Sequence, residues 1–170
     1  MGFQAFSGAF TPVLGNAVSY CNWLRYGRRN ALGCFMETVV RYLGHTKFEA
    51  TTRGHRVLCD QPVENQGTDA AMSPPEFLLV SLATCAGYYA TQYLLTRALS
   101  TDQLTVRVSA EKGAQPARLA SFVIEVEAPH VDPKYRDGLL RAVKTCLVHN
   151  TLSHPATIDL HVHTAAPVLA

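Results

Sequence analysis

At 170 residues the chain is long enough for one domain with a buried core, and 48% hydrophobic with 16% charged residues excludes a disordered chain. The formal charge of +2 hides an uneven distribution: Arg25, Arg28 and Arg29 precede Met36 without a single acid, and from Met36 onward twelve Lys and Arg face thirteen Asp and Glu. A near-neutral body with no basic run excludes nucleic acid as a partner.

Residues 1–35 mix Gly, Asn, Ser and aromatics without a sustained helical or strand period. They read as an N-terminal extension separate from a domain spanning 36–170. The acid-poor, Arg-containing composition fits an organellar transit peptide, or an upstream extension of the reading frame with Met36 as the natural start. The start "MGFQAFSGAFTPVLGNAV" lacks the basic opening of a secretory signal, and Gly8, Pro12, Gly15 and Asn16 break the uncharged run as a membrane span.

From Met36 the pattern sharpens. "TVVRYLG", "KFEATTRG" and "HRVLCD" alternate as strands, with Gly54 marking a turn. "QPVENQGTDAAMS" is a loop by its turn formers. A long helix is expected from Pro74 to about Leu99, opened by Ser73 as N-cap, Pro74 at the first position and Glu76 three residues past the cap, the arrangement of a capping box. "LTVRVSAEK" and "ASFVIEVEA" form a hairpin joined through "GAQPARL". "DPKYRDGLLRAVKTC" is a second helix capped by Asp132 with Pro133 at its first position, and "ATIDLHVHT" is a closing strand. The order βββ–α–ββ–α–β gives an α+β class with antiparallel sheets around a long buried central helix and a second helix.

The first helix carries no formal charge between Glu76 and Arg97. Ser81, Thr84, Thr91, Gln92 and three tyrosines make this run too polar for a membrane span. A helix apolar on all sides is nevertheless buried on most of them, and one sheet covers one flank only. The remaining flank calls for a second copy, so a homodimer is expected.

The five cysteines, Cys21, Cys34, Cys59, Cys85 and Cys146, form no C-x-x-C pair and no even framework. That pattern fits a reducing, cytoplasmic setting and neither a zinc ribbon nor a secreted disulfide scaffold. Cys59, in a strand, reads as a small core hydrophobe. Cys85, within "ATCAGYY", has small neighbours that leave room for approach to the sulfur, with Tyr88 and Tyr89 as pocket walls. Cys146 closes the second helix with His149 three residues on. Cys85 lies too far along its helix to gain from the N-terminal dipole, so a reactive thiolate there needs a cation from elsewhere. His161 and His163 share a face of the last strand, with no further ligand to make a metal site.

The stretches "SPPEFLLVSLATC" and "CLVHNTL", with "VVRYLGHTKFEA", "GHRVLCDQPVENQG" and the element order, resemble the OsmC/Ohr family, the osmotically induced protein C and organic hydroperoxide resistance proteins. The resemblance runs from Met36 to about Val162 and looks like a less characterised branch. It implies an intertwined homodimer and a thiol peroxidase without metal, haem or other cofactor. In that scheme Cys85 attacks the hydroperoxide, Cys146 condenses with the resulting sulfenic acid to a disulfide, and an external dithiol restores both thiols. It also implies a catalytic role for Glu76, although Glu76 stands nine residues before Cys85, one fewer than in the peroxidase branches. Where those branches carry an arginine between the first two strands this chain has "GHTKF", leaving Lys47, His45 or nearby Arg41 as the activating cation. The same resemblance admits a redox-responsive or small-molecule-binding dimer that does not turn over.

Overall fold

The computed structural model describes residues 36–164; the N-terminal extension, with Cys21 and Cys34, lies outside them. Three strands, β1 (Val39–Gly44), β2 (Lys47–Thr52) and β3 (His55–Cys59), form an antiparallel meander. A long helix α1 (Pro74–Leu95) follows, then the hairpin β4 (Thr105–Ala114) and β5 (Ala117–Glu127), and two short helices, α2 (Arg136–Lys144) and α3 (Leu147–Ser153). The class is the expected mixed α+β.

The meander's register follows from its alternation. Val40 pairs with Ala50 and Ala50 with Val57, while Tyr42 pairs with Phe48 and Phe48 with Cys59, which places these apolar residues on one face. The Tyr42 and Phe48 rings meet with centroids 5.5 Å apart. The opposite face carries Arg41, Glu49 and Arg56, the last two ion-paired. Between β2 and β3, Arg53 (φ 53°) and Gly54 (φ 85°) are both left-handed, as a tight hairpin turn of this hand requires.

Beyond β3 the chain wraps around Asp60. This fully buried carboxylate accepts from Thr46 Oγ1 (2.5 Å), Gln61 N (2.8 Å), Thr68 Oγ1 (2.7 Å), Thr68 N (3.1 Å) and Ala70 N (3.1 Å). Hydrogen bonds from the two threonine hydroxyls, then those from the amides, hold its pKa far below the usual carboxylate range, and they outweigh the opposing effect of burial. One side chain thus ties the β1–β2 turn to the loop that leads into α1.

Helix α1 starts as expected at Ser73 with the capping box formed. It stops at Leu95, four residues early, because Ala98 adopts φ 52° and the Leu99 amide turns back to the Leu94 carbonyl at 3.0 Å. Its buried stripe, Leu82, Ala86, Ala90 and Leu94, repeats every four residues. That stripe meets Leu139 and Val143 of α2, with Val106, Ile124 and Val126 of the hairpin beneath. α1 and α2 approach so closely that a Cβ at Gly138 would collide with the Tyr93 hydroxyl.

Three expectations need correction. The hairpin strands continue through most of "GAQPARL", leaving Gln115 and Pro116 as the turn. The second helix is not continuous: a 3-10 turn (Pro133–Tyr135), capped by Asp132 accepting from the Lys134 amide, precedes α2, and the helix breaks at Thr145 before α3 begins. The closing strand is absent. Residues 156–164 join no sheet among the described residues, and Ile158, Leu160 and Val162 remain 82%, 87% and 86% exposed. An alternating sequence becomes a strand only where a neighbouring backbone supplies the ladder, and among the described residues no edge reaches that segment.

Candidate thiol site

Cys85 lies near the middle of α1, at the border of its buried stripe, and is half-buried. Cys146 occupies the break between α2 and α3 and is fully buried. Although 61 positions apart in sequence, the two thiols lie near enough for Cys85 to raise the pKa of Cys146. Both are free. The packing of α1 on α2 and α3 brings them together.

Cys146 is the N-cap of α3. Its φ and ψ, −54° and 127°, are non-helical, and its sulfur accepts the backbone N–H of His149 at 3.4 Å. Its own N–H donates to the Val143 carbonyl at 3.0 Å, closing the end of α2. Burial raises the Cys146 pKa above the ordinary thiol range, and the adjacent Cys85 thiol adds to the rise; the amides of His149 and Val148 oppose it without reversing it. Cys146 is therefore a protonated, shielded sulfur near neutral pH, while Cys85 is the more exposed of the two. The sequence placed Cys146 at the end of the second helix with His149 beside it. The contact is made by the His149 backbone amide, and its ring nitrogen lies 3.3 Å from Asn150 Oδ1.

Glu76 is not brought to the thiols of its own chain. Nine residues on a helix are two and a half turns, so Glu76 and Cys85 point to opposite sides and lie ~13 Å apart along the axis. Its Oε2 accepts from the Ser73 amide and hydroxyl, both at 2.7 Å, and the amide bond first, then the hydroxyl bond, hold its pKa below the usual carboxylate range. The sheet carrying Arg41, His45 and Lys47 does not pack to any extent on α1 or α3 among the described residues. Tyr88 and Tyr89 meet edge to face at 5.4 Å, with Tyr88 exposed. Cys59, at the end of β3, has its pKa raised by burial and then by the Asp60 charge, and it donates weakly to the Asp60 carbonyl at 3.9 Å.

Beside the pair runs an apolar groove of about 880 Å³, floored by Leu82, Phe122, Ile124 and Val143 and flanked by Arg118, Lys144 and His149. Neither sulfur lines it. His149, Leu152 and Ser153 of α3 form one of its walls. Among the described residues no cluster of three His, Cys, Asp or Glu side chains is arranged to hold a metal ion, and no helix is long and apolar enough to cross a membrane. Asp60 escaped the sequence reading altogether. A lone Asp after a strand carries no signal that five donors converge on it.

Comparison with known proteins agrees with this architecture. Uncharacterized proteins of Mycobacterium tuberculosis and Mycobacterium bovis are 30% identical over 129 residues, covering 72% of this chain and 88% of theirs. The fold is shared with a Psychrobacter arcticus 273-4 protein named for osmotic stress induction and detoxification response, at TM-score 0.65 and 24% identity over 74% of this chain and 93% of that one. It is also shared with an organic hydroperoxide resistance protein OsmC from Legionella pneumophila, at TM-score 0.57 and 14% identity over 74% and 93%. The family model described as OsmC-like protein matches residues 67–161, the segment that contains α1 and both thiols. The chain belongs to the OsmC-like family.

Proposed function

We propose that this protein is a thiol-dependent peroxidase that reduces organic hydroperoxides through Cys85 and Cys146. The single observation that carries the reading is the proximity of the two thiols, one half-buried and one fully buried. The Cys85 thiolate attacks the outer peroxide oxygen, the O–O bond breaks, and the alcohol leaves after taking a proton. Cys85 is then a sulfenic acid. The Cys146 sulfur attacks it, an S–S bond forms, and water departs with the Cys146 proton. Two thiols have lost two electrons and the hydroperoxide has gained them. An external dithiol reverses the disulfide by exchange.

The reading includes a homodimer. The apolar face of the meander is uncovered, with Val40, Tyr42 and Val57 exposed, as is the α1 flank carrying Val80 and Tyr88. A second copy that laid the apolar face of its meander against α1 would cover both surfaces and bring the β1–β2 turn, with His45, toward Cys85 as the source of the missing cation, while Arg41 and Lys47 alternate onto the opposite face. In that arrangement the thiol Glu76 acts on is that of the facing copy. Names borne by structural neighbours, organic hydroperoxide resistance among them, support the substrate class.

A second reading, a redox-responsive dimer without turnover, is favoured by one specific feature: Glu76 is committed to its helix cap. One experiment separates the two. Protein with Cys21, Cys34 and Cys59 changed to Ser is exposed to cumene hydroperoxide with and without a dithiol. The peroxidase reading expects loss of two thiols per chain, recovery with dithiol, and many turnovers when both reagents are present. Oxidation that stops at one equivalent supports the second reading, and no thiol loss overturns both.

A further inference from the structure

We propose that Cys146 is a redox-sensitive helix cap. Closing the Cys85–Cys146 disulfide withdraws the sulfur that starts α3, loosens the first turn of that helix, and so transmits the oxidation state of the thiols to the wall of the apolar groove. The cap is present in the structure; its release rests on the proposed disulfide. Closure takes two protons and two electrons from the thiols and leaves an alcohol and water from the hydroperoxide.

Non-bonded sulfurs stand on the order of 3.5 Å apart at closest approach, whereas a disulfide holds them at about 2.05 Å. One of the two must move by more than ~1 Å. Cys85 is embedded in a helix of 22 residues, with hydrogen-bonded turns on either side. Cys146 sits at a break between two short helices, held by its bond to Val143 and by the contact of its sulfur with the His149 amide. The displacement therefore falls on Cys146, and the 3.4 Å N–H···S contact has little distance to give.

α3 depends on that contact more than a longer helix would. It has seven residues and no acidic side chain in its first turn, so the cap is its main N-terminal support. His149, Leu152 and Ser153 of this helix line the groove. A loosened α3 changes the shape of that wall in step with the thiol chemistry, which couples occupancy of the groove to the redox state of the pair.

Hydrogen exchange of the full chain carrying Ser at positions 21, 34 and 59 tests this, with peptides covering 147–153 and 82–94 followed by mass spectrometry. Oxidation with cumene hydroperoxide, confirmed by a mass loss of two hydrogens, should raise exchange in 147–153 by about fivefold, the factor that a cap of ordinary strength supplies. Exchange in 82–94 should not change. In the reduced state Cys146→Ala should show the same rise, and Cys146→Ser, which keeps an acceptor, should not. A confirmed disulfide with unchanged exchange in 147–153 overturns the proposal, as does a silent Cys146→Ala variant. Absence of the two-hydrogen loss overturns it through the disulfide reading, and raised exchange in Cys146→Ala then identifies that as the failing part.

Discussion

The sulfur of Cys146 accepts the backbone N–H of His149 at 3.4 Å while standing near enough to Cys85 for that thiol to raise its pKa. A single atom thus belongs both to a helix cap and to the candidate redox pair.

The pH behaviour of Cys146 follows from its burial. Its folded pKa is raised, so the folded state holds the proton more tightly than the unfolded chain does. The associated stability is complete below the ordinary thiol pKa and is lost as pH rises through the elevated folded value. Reduced wild-type protein should lose thermal stability above about pH 9, and Cys146→Ser should show a weaker decline over the same window. Melting curves from pH 7 to 10.5 measure both, and parallel curves would contradict the assignment.

Ser73 and Glu76 separate helix capping from catalysis. Ser73→Ala should cost about 1 kcal/mol by loss of the cap, with the rate of peroxide reduction per folded molecule unchanged. Glu76→Gln keeps an oxygen acceptor for the Ser73 amide. A rate within about twofold of wild type places Glu76 in the cap alone, while a hundredfold loss with an unchanged melting temperature assigns it to the reaction in the dimer.

Asp60 should behave as a structural carboxylate. Its pKa is strongly depressed in the folded state, so its contribution is present above the unfolded carboxylate pKa and is lost as pH falls through the folded one. Asp60→Asn replaces an acceptor of five hydrogen bonds with a group that must also donate. The variant should melt lower at pH 7, on the order of 5 °C, and the gap should narrow in acid. A gap that widens as pH falls would show that the charge is not what matters.

The exposed face of the meander makes the dimer testable. Tyr42→Asp and Val57→Asp put charge on a face that is apolar and, among the described residues, uncovered. Each should shift the sedimentation of micromolar protein from dimer to monomer. If the dimer places the activating cation as proposed, turnover should fall with it. Dimerisation unaffected by both substitutions would move the interface elsewhere.

Much of the fold was legible in local pattern. The meander, the loop after it, the start of α1 and the β4–β5 hairpin each depend on periodicity or on a cap written within a few residues. The errors fell where distant backbone decides. Residues 156–164 alternate well yet find no ladder, and the second helix breaks at Thr145, where Cys146 turns its sulfur toward the amides that follow. The candidate pair was visible in the sequence as two cysteines in unusual settings, and their meeting was implied only by the family resemblance.

Sequence alone settled the α+β class, the capping box at Ser73 and Glu76 and the apolar circumference of α1, because each depends on residues a few positions apart. Only the packing of α1 against α2 and α3 decided that Cys85 and Cys146 are neighbours, that Cys146 is the sealed member, and that Glu76 faces away. Contact between residues 61 positions apart is set by how helices stack around a shared core, and no local period encodes that.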